Sequence, residues 1–135
     1  LEPRPGVRLR TAPLKHPNGA TGYRIDYAGK SICYLTDTEH AKGKLDQNIL
    51  DLIKGADIAI YDSMYTDAEF DARIGWGHST WQEGARLCAA AGVKTFVVFH
   101  HDPDHSDDFM DKVAQEAAAM WPGSVVAREG LVLRP

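Results

Sequence analysis

The chain has 135 residues, of which 44% are hydrophobic and 25% charged, a balance typical of a folded globular protein rather than a disordered one. Its formal net charge is −4 and its lysines and arginines are scattered, which argues against a dedicated nucleic-acid-binding role. No apolar run reaches the ~18 residues that a membrane span needs, and Cys33 and Cys88 are isolated thiols, so a cytoplasmic location is expected.

The first part of the chain predicts three β-strands. Residues 7–14 and 23–27 alternate polar and apolar side chains, and residues 31–35 are more continuously apolar. Turn sequences separate them at Asn18-Gly19 and at residues 28–30. The second and third strands are therefore expected to form a hairpin.

The rest of the chain alternates between helix and strand. Helices are predicted over residues 46–54, 80–91 and 106–121, and strands over residues 57–61, 94–99, 124–127 and 131–133. Gly55 and Gly92 end the first two helices. Ser79 or Thr80 is the expected N-cap of the second helix, with Glu83 at capping-box distance. This order predicts an α/β protein in which helices cover a sheet, with residues 1–135 as a single unit.

Side chains suited to metal binding follow three of these strands. Asp37 comes soon after the strand 31–35, Asp62 directly follows the strand 57–61, and His100 directly follows the strand 94–99. A rigid sheet holds such side chains at its edge, where binding sites are commonly built. Imidazole and carboxylate ligands suit zinc, manganese or iron. An Asp after a strand is often only a turn residue, but the recurrence at several strand ends favours a metal site.

Four segments carry a resemblance to a known family: PLKHPNGATGYRI, AGKSICYLTDTEH, ADIAIYDSMYTDAEF and GWGHSTWQEGARLCAAAGVKTFVVFHHDPDH. In order and spacing they resemble the C-terminal half of a metallo-β-lactamase-fold hydrolase. The likeness is strongest to the phosphodiesterase branch, which includes ribonuclease Z and the cyclic phosphodiesterase of phosphonate metabolism. The resemblance runs from Val7 to the C-terminus. It implies an α/β fold that is half of a four-layer αββα sandwich, and a metal-dependent hydrolase.

The resemblance also implies a metal-ligand set. His16 resembles the single histidine of the family's third metal motif, and Asp37, in LTDT, resembles the carboxylate that bridges two metal ions. His100 resembles the last histidine ligand, with His101 beside it as the alternative. The implied cofactors are two divalent metal ions, zinc first, with manganese or iron as alternatives.

Two further residues take catalytic roles by the same resemblance. His78, in GHST, resembles the histidine of the ribonuclease Z His-Ser-Thr loop, which contacts the scissile phosphate. Asp62 stands where that branch carries an acidic residue that orients this histidine. The implied reaction is in-line attack by a metal-bridging hydroxide on a small phosphodiester or nucleotide-like substrate, with His78 stabilising the developing charge or protonating the leaving oxygen.

The family's defining signature, His-x-His-x-Asp-His, does not occur between Leu1 and Pro135. Three protein ligands shared between two ions leave both ions underfilled. We therefore expect an N-terminal half of the same fold, on a separate or cleaved chain, to complete the site, and a first residue that is Leu rather than Met agrees with this. A degenerate relative without activity is the alternative.

Two other functions stay open at this stage. One is a metallo-hydrolase of esters, lactones or thioesters, in which His78 would meet a carbonyl oxyanion; the other is a noncatalytic module that binds a partner or small ligand. Half a sandwich exposes one apolar sheet face, which predicts a tightly bound partner and leaves a homo-oligomer open.

Several residues near these motifs are weaker candidates. His40 either supports Asp37 or is a solvated loop residue. Trp76 and Trp81 flank His78 and either form an aromatic wall or pack beneath the loop.

Overall fold

The strands of the chain form one six-stranded sheet in sequence order, β1-β2-β3-β4-β5-β6, in the computed structural model, which describes residues 1–135. The strands are β1 (Val7–Leu14), β2 (Ala20–Tyr27), β3 (Lys30–Leu35), β4 (Ile58–Asp62), β5 (Thr95–Phe99) and β6 (Ser124–Val126). The α-helices are α1 (Gln47–Ile53), α2 (Asp67–Phe70), α3 (Trp81–Ala91) and α4 (Asp107–Met120). The first three strands are antiparallel neighbours, whereas β3 to β6 are parallel, so the predicted α/β fold is confirmed.

The hairpin between β2 and β3 forms as predicted. Tyr27 pairs with Lys30, and the two residues between them, Ala28 and Gly29, have φ angles of 50° and 76°. Two consecutive positive φ angles characterise the turn that matches the twist of a hairpin.

Side-chain caps begin helices α1 and α3, and Thr80 is one of the two N-caps predicted for α3. The side chain of Asp46 accepts from the backbone of Asn48 and Ile49, and that of Thr80 accepts from the backbone of Glu83. The carboxylate of Glu83 does not complete a capping box, because its Oε2 accepts from Nε of Arg86 at 2.8 Å instead. Helix α3 ends at Gly92, whose φ is 66°, as the sequence predicts.

The hydrophobic core lies between the helices and one face of the sheet. Alternate strand residues point toward the helices, among them Leu35, Tyr61 and Phe96, and all three are almost fully buried. Helix α3 approaches the sheet at Gly84, where a Cβ atom would lie 2.5 Å from Cζ of Phe96. Cys33 is a free, buried thiol, and burial raises its pKa to about 11.

The opposite face of the sheet is apolar and is exposed over β2 and β3. Tyr23 pairs with Tyr34 and Ile25 with Ile32 across β2 and β3, and Tyr23, Ile25 and Tyr34 are each more than 40% exposed (43%, 47% and 44%). Contiguous apolar surface of this kind is typical of a face that another protein segment covers. The expected exposed face of a half sandwich is present.

One local prediction is wrong, and two short helical segments were not predicted. Residues 131–133 do not form a strand, because the amide of Leu131 donates to the carbonyl of Arg128 in a turn instead of joining the edge strand β6. The short helix α2 and the 3₁₀ helix Asp71–Arg73 were not predicted, since segments of four and three residues are too short to show a helical period. No helix of the structure is both long and apolar enough to cross a membrane.

Candidate metal centre

Four strands end at the same edge of the sheet. Because β1 and β3 are both antiparallel to β2, β1 runs in the same direction as β3, β4 and β5. Their carboxyl ends therefore share one edge, and each leads into a candidate residue. His16 follows the end of β1, Asp37 follows β3, Asp62 is the last residue of β4, and His100 is the first residue after β5.

Two of these residues have an unusual backbone. Asp37 and His100 have φ angles of 63° and 64°, in the left-handed region. That conformation costs a residue with a side chain ~1–2 kcal/mol, and such strain clusters at functional sites. In the chain only Ala28, in the hairpin turn, shares this property among the residues other than glycine.

Asp62 is the hydrogen-bonding centre of the cluster. Its side chain is fully buried, and its Oδ2 accepts from the backbone amide of Asp37 at 2.8 Å, from Nδ1 of His78 at 3.0 Å and from Nδ1 of His100 at 3.2 Å. Its Oδ1 accepts from the backbone amide of Ser79 at 3.3 Å. One carboxylate thus joins the ends of β3, β4 and β5 to the loop that carries His78.

These hydrogen bonds affect the ionisation of Asp62 and His100 and the orientation of the His78 and His100 rings. Burial opposes ionisation of Asp62, but the hydrogen bonds from His100 and His78 outweigh it and hold the pKa of the carboxyl below its usual value. The hydrogen bond to Asp62 raises the pKa of His100 above its usual value. Because both rings donate through Nδ1, each presents Nε2 on its other side, the arrangement that metal-binding histidines commonly have.

The candidate ligand atoms fall into two overlapping groups. One ligand atom each of His16, Asp37 and His78 lie within 4.8 Å of one another, and the same holds for Asp62, His78 and His100. The His78 ring centroid is 6.0 Å from that of His16 and 5.0 Å from that of His100. Imidazole and carboxylate donors at these separations fit zinc. Asp62 is the poorest donor, since Oδ2 already accepts several hydrogen bonds.

The three predicted metal ligands are brought to the same edge but not into one group. His16 lies in one group with Asp37 and His78, whereas His100 lies in the other with Asp62 and His78. His16 also lacks a carboxylate behind its ring, because its Nδ1 accepts from the backbone amide of Asn18 at 3.3 Å. His78 is the residue that the two groups share.

His101 and His105 lie outside both groups. Nε2 of His101 donates to the carbonyl of Ala127 at 3.2 Å, next to β6, and Nε2 of His105 donates to Oε1 of Glu69 at 2.9 Å. Of the two adjacent histidines after β5, it is therefore His100 that contacts Asp62.

His40 is not a solvated loop residue. It is only 7% exposed, its ring stacks on Phe70 with centroids 3.9 Å apart, and its Nδ1 lies 2.7 Å from Oγ of Ser79. Burial lowers the pKa of His40 to about 4, so the ring is neutral near neutral pH. The hydroxyl of Tyr61 also lies 2.9 Å from Oγ of Ser79. The serine next to His78 is thus fixed from two sides, which the sequence did not reveal.

The two tryptophans beside His78 behave differently. Trp81 is buried beneath the loop, whereas Trp76 is 59% exposed, with the guanidinium of Arg73 4.9 Å from its ring centroid. Of these two tryptophans, only Trp76 presents an aromatic surface beside the site.

Comparison with known proteins gives the family and the fold of the chain. The family model of the beta-lactamase superfamily domain matches residues 2–101. A ribonuclease Z of Synechococcus sp. (strain CC9311) is 32% identical over 117 residues, covering 84% of this chain and 36% of that protein. Human tRNase Z, short form, is structurally similar, with a TM-score of 0.71 and 20% identity over 99% of this chain and 45% of that chain.

Zn²⁺-bound PqqB from Methylobacterium extorquens is also similar, with a TM-score of 0.68 and 21% identity over 100% of this chain and 52% of that chain. The chain therefore spans about a third of the ribonuclease Z sequence (36%) and about half of these solved chains (45% and 52%). With a sheet of the metallo-β-lactamase fold and a family match over most of its length, the chain belongs to the beta-lactamase superfamily.

Proposed function

We propose that this chain is the C-terminal half of a metal-dependent phosphodiesterase, whose site is completed by an N-terminal half of the same fold. The observation that carries the proposal is the convergence of His16, Asp37, His78 and His100 around the buried carboxylate of Asp62. The similarity to ribonuclease Z supports a phosphodiester as the substrate class.

His16, Asp37 and His100 would hold two divalent metal ions, with Asp37 between them. Zinc is the first candidate, because imidazole and carboxylate donors suit it and a zinc-bound protein is among the structural relatives. When bound, the ions supply a Lewis acid and a water molecule activated at neutral pH. Asp62 fixes the His100 ring through Nδ1, which would leave Nε2 free to bind a metal ion.

His78 would act on the substrate. Asp62 holds Nδ1 of His78 at 3.0 Å, so Nε2 is directed away from the carboxylate. A proton on Nε2 can stabilise negative charge on the phosphoryl group or pass to the leaving oxygen. Asp62 favours the ring orientation and tautomer that this role requires.

An N-terminal half would supply the ligands that these residues lack. His16, Asp37 and His100 offer three protein ligands, which is fewer than two four-coordinate ions need. The uncovered sheet face, with Tyr23, Ile25 and Tyr34 exposed, is the surface on which that half would pack. A homo-oligomer is the alternative way to cover it, and a cytoplasmic location stays a prediction.

Activity of the chain joined to its N-terminal half tests the proposal. The protein would be freed of metal, reloaded with zinc, and assayed on bis(p-nitrophenyl) phosphate beside p-nitrophenyl acetate. We expect zinc-dependent hydrolysis of the phosphodiester and little of the acetate. Preference for the acetate would favour an ester hydrolase, and turnover of neither substrate by the zinc-loaded protein would contradict the proposal.

A further inference from the structure

A buried glutamate anchors the loop that leads to His78. Glu39 is only 6% exposed. Its Oε2 accepts from the backbone amide of Gly75 at 2.6 Å and from that of Gly77 at 3.1 Å. A buried carboxylate is costly unless hydrogen bonds compensate for its lost hydration, and here two amides converge on a single oxygen.

Glu39 also contacts the loop that follows β1. Its backbone amide donates to the carbonyl of Lys15 at 2.7 Å, and its Oε1 lies 3.6 Å from Nζ of the same lysine. Lys15 directly precedes His16, and Glu39 itself lies two residues beyond Asp37. The loops that carry His16, Asp37 and His78 therefore meet at this one residue.

The anchored loop leaves no free space beside His16. A Cβ atom at Gly77 would lie 2.3 Å from Cδ2 and 2.8 Å from Nε2 of His16, and the φ of Gly77 is +88°. The glycine is therefore required both by its backbone conformation and by the neighbouring ring. A small displacement of this loop would move His78 and press on His16 at once.

We propose that Glu39 is a positioning residue, a single acceptor that fixes the loop 75–77, and with it His78, against His16. Its consequence for catalysis rests on the function proposed above, whereas its structural role does not. The loop requires an acceptor oxygen at the distance that a glutamate side chain spans, because one oxygen accepts from the amides of both Gly75 and Gly77. The negative charge matters less, since the Lys15 side chain is 59% exposed and exposed ion pairs are weak.

Three variants separate the effect of side-chain length at position 39 from the effect of its negative charge. Glu39→Gln keeps an oxygen at the same reach and removes the charge, Glu39→Asp keeps the charge and shortens the reach, and Glu39→Ala removes both. Lys15→Met is the matched control, because it removes the ion pair and leaves the loop contacts intact. Amide hydrogen exchange at Gly75 and Gly77 reports the structural role directly and requires neither metal nor substrate.

We expect exchange at both glycine amides to quicken about tenfold or more in Glu39→Asp and Glu39→Ala. It should stay within about threefold of wild type in Lys15→Met, since exposed ion pairs contribute little. Glu39→Gln should lie closer to wild type than Glu39→Asp, because it keeps an oxygen at the same distance from the backbone. If Glu39→Ala does not fold, the comparison of amide exchange in Glu39→Asp and Glu39→Gln still tests the proposal. Equal protection in Glu39→Asp and wild type, or an equal loss in Glu39→Gln and Glu39→Asp, would overturn the proposal.

The same variants in the completed, zinc-loaded protein test the catalytic consequence. Glu39→Asp should lower kcat on bis(p-nitrophenyl) phosphate at unchanged zinc content, and Glu39→Gln should restore it. A wild-type protein without turnover would contradict the proposed function, while the amide exchange would still decide whether Glu39 positions the loop. Altered exchange with kcat unchanged in Glu39→Asp would overturn the catalytic part.

Discussion

Nδ1 of His78 donates to Oδ2 of Asp62 over 3.0 Å, at a carboxylate that has no exposure to solvent. The same oxygen accepts from Nδ1 of His100 and from the backbone of Asp37. A substitution at Asp62 therefore affects the candidate catalytic residue His78 and the candidate metal ligands His100 and Asp37 at the same time. It also removes hydrogen bonds that join the ends of three neighbouring strands.

Replacing this carboxylate should destabilise the protein. In Asp62→Asn the side-chain amide presents donors to groups that are themselves donors, and breaking a buried charged network costs ~3–5 kcal/mol. The measurement is the free energy of unfolding in urea. Asp108→Asn, on the exposed first turn of α4, is the control and should lose less than ~1 kcal/mol. An unfolding free energy for Asp62→Asn equal to that of the control would argue against the central role of Asp62.

Removing the His78 ring should affect turnover more than metal content. His78→Ala in the completed, zinc-loaded protein is expected to lower phosphodiester turnover ~10²–10⁴-fold, because a positioned proton donor contributes about that much. Zinc content, measured by atomic emission, should stay near the wild-type value. His105→Gln is the control, since His105 contacts Glu69 outside the site. Full turnover in His78→Ala with zinc bound would contradict the assigned role.

The close contact of α3 with the sheet gives a prediction about packing. A Cβ atom at Gly84 would lie 2.5 Å from Phe96 and 2.8 Å from Tyr61, both buried rings. Gly84→Ala is therefore expected to lower the free energy of unfolding by ~1–3 kcal/mol through overpacking. Ala90→Ser, on the exposed side of the same helix, should change it by less than ~0.5 kcal/mol. Equal stability of the two variants would show that the helix shifts without cost.

Stability in acid should depend on Asp57. A hydrogen bond from Lys94, helped by bonds from Ser31, lowers the pKa of Asp57 from 3.8 to about 2. Since the folded-state pKa is the lower one, Asp57 stabilises the fold above pH 4, and this contribution is lost as the pH falls from 4 toward 2. In urea unfolding, Asp57→Asn should be less stable than wild type at pH 6, and the difference should become much smaller near pH 2. A difference that is constant with pH would contradict this.

The sequence predicted the strand ends because their signals are local. The bounds of β1 at Val7 and Leu14 and the end of β5 at Phe99 agree with the apolar patterns, and parallel order places their carboxyl ends together. The convergence of Asp37, Asp62 and His100 follows from that order.

The sequence did not predict how the site is held together. Glu39 accepts from amides that lie 36 and 38 residues further along the chain, and Asp62 accepts from an amide 25 residues earlier. No periodicity reports such long-range pairs, because they depend on where two loops meet. The sequence carries one weak signal of this loop. A glycine stands on each side of Trp76, which indicates backbone angles that other residues rarely adopt.

The assignment of His16, Asp37 and His100 as metal ligands is the central claim, and anomalous diffraction tests it most directly. Crystals of the completed protein, loaded with zinc, would be measured on both sides of the zinc absorption edge. We expect anomalous peaks at ~2.0–2.2 Å from donor atoms of His16, Asp37 and His100. Zinc bound elsewhere, or a well-ordered site with no anomalous peak beside these three residues, would contradict the account.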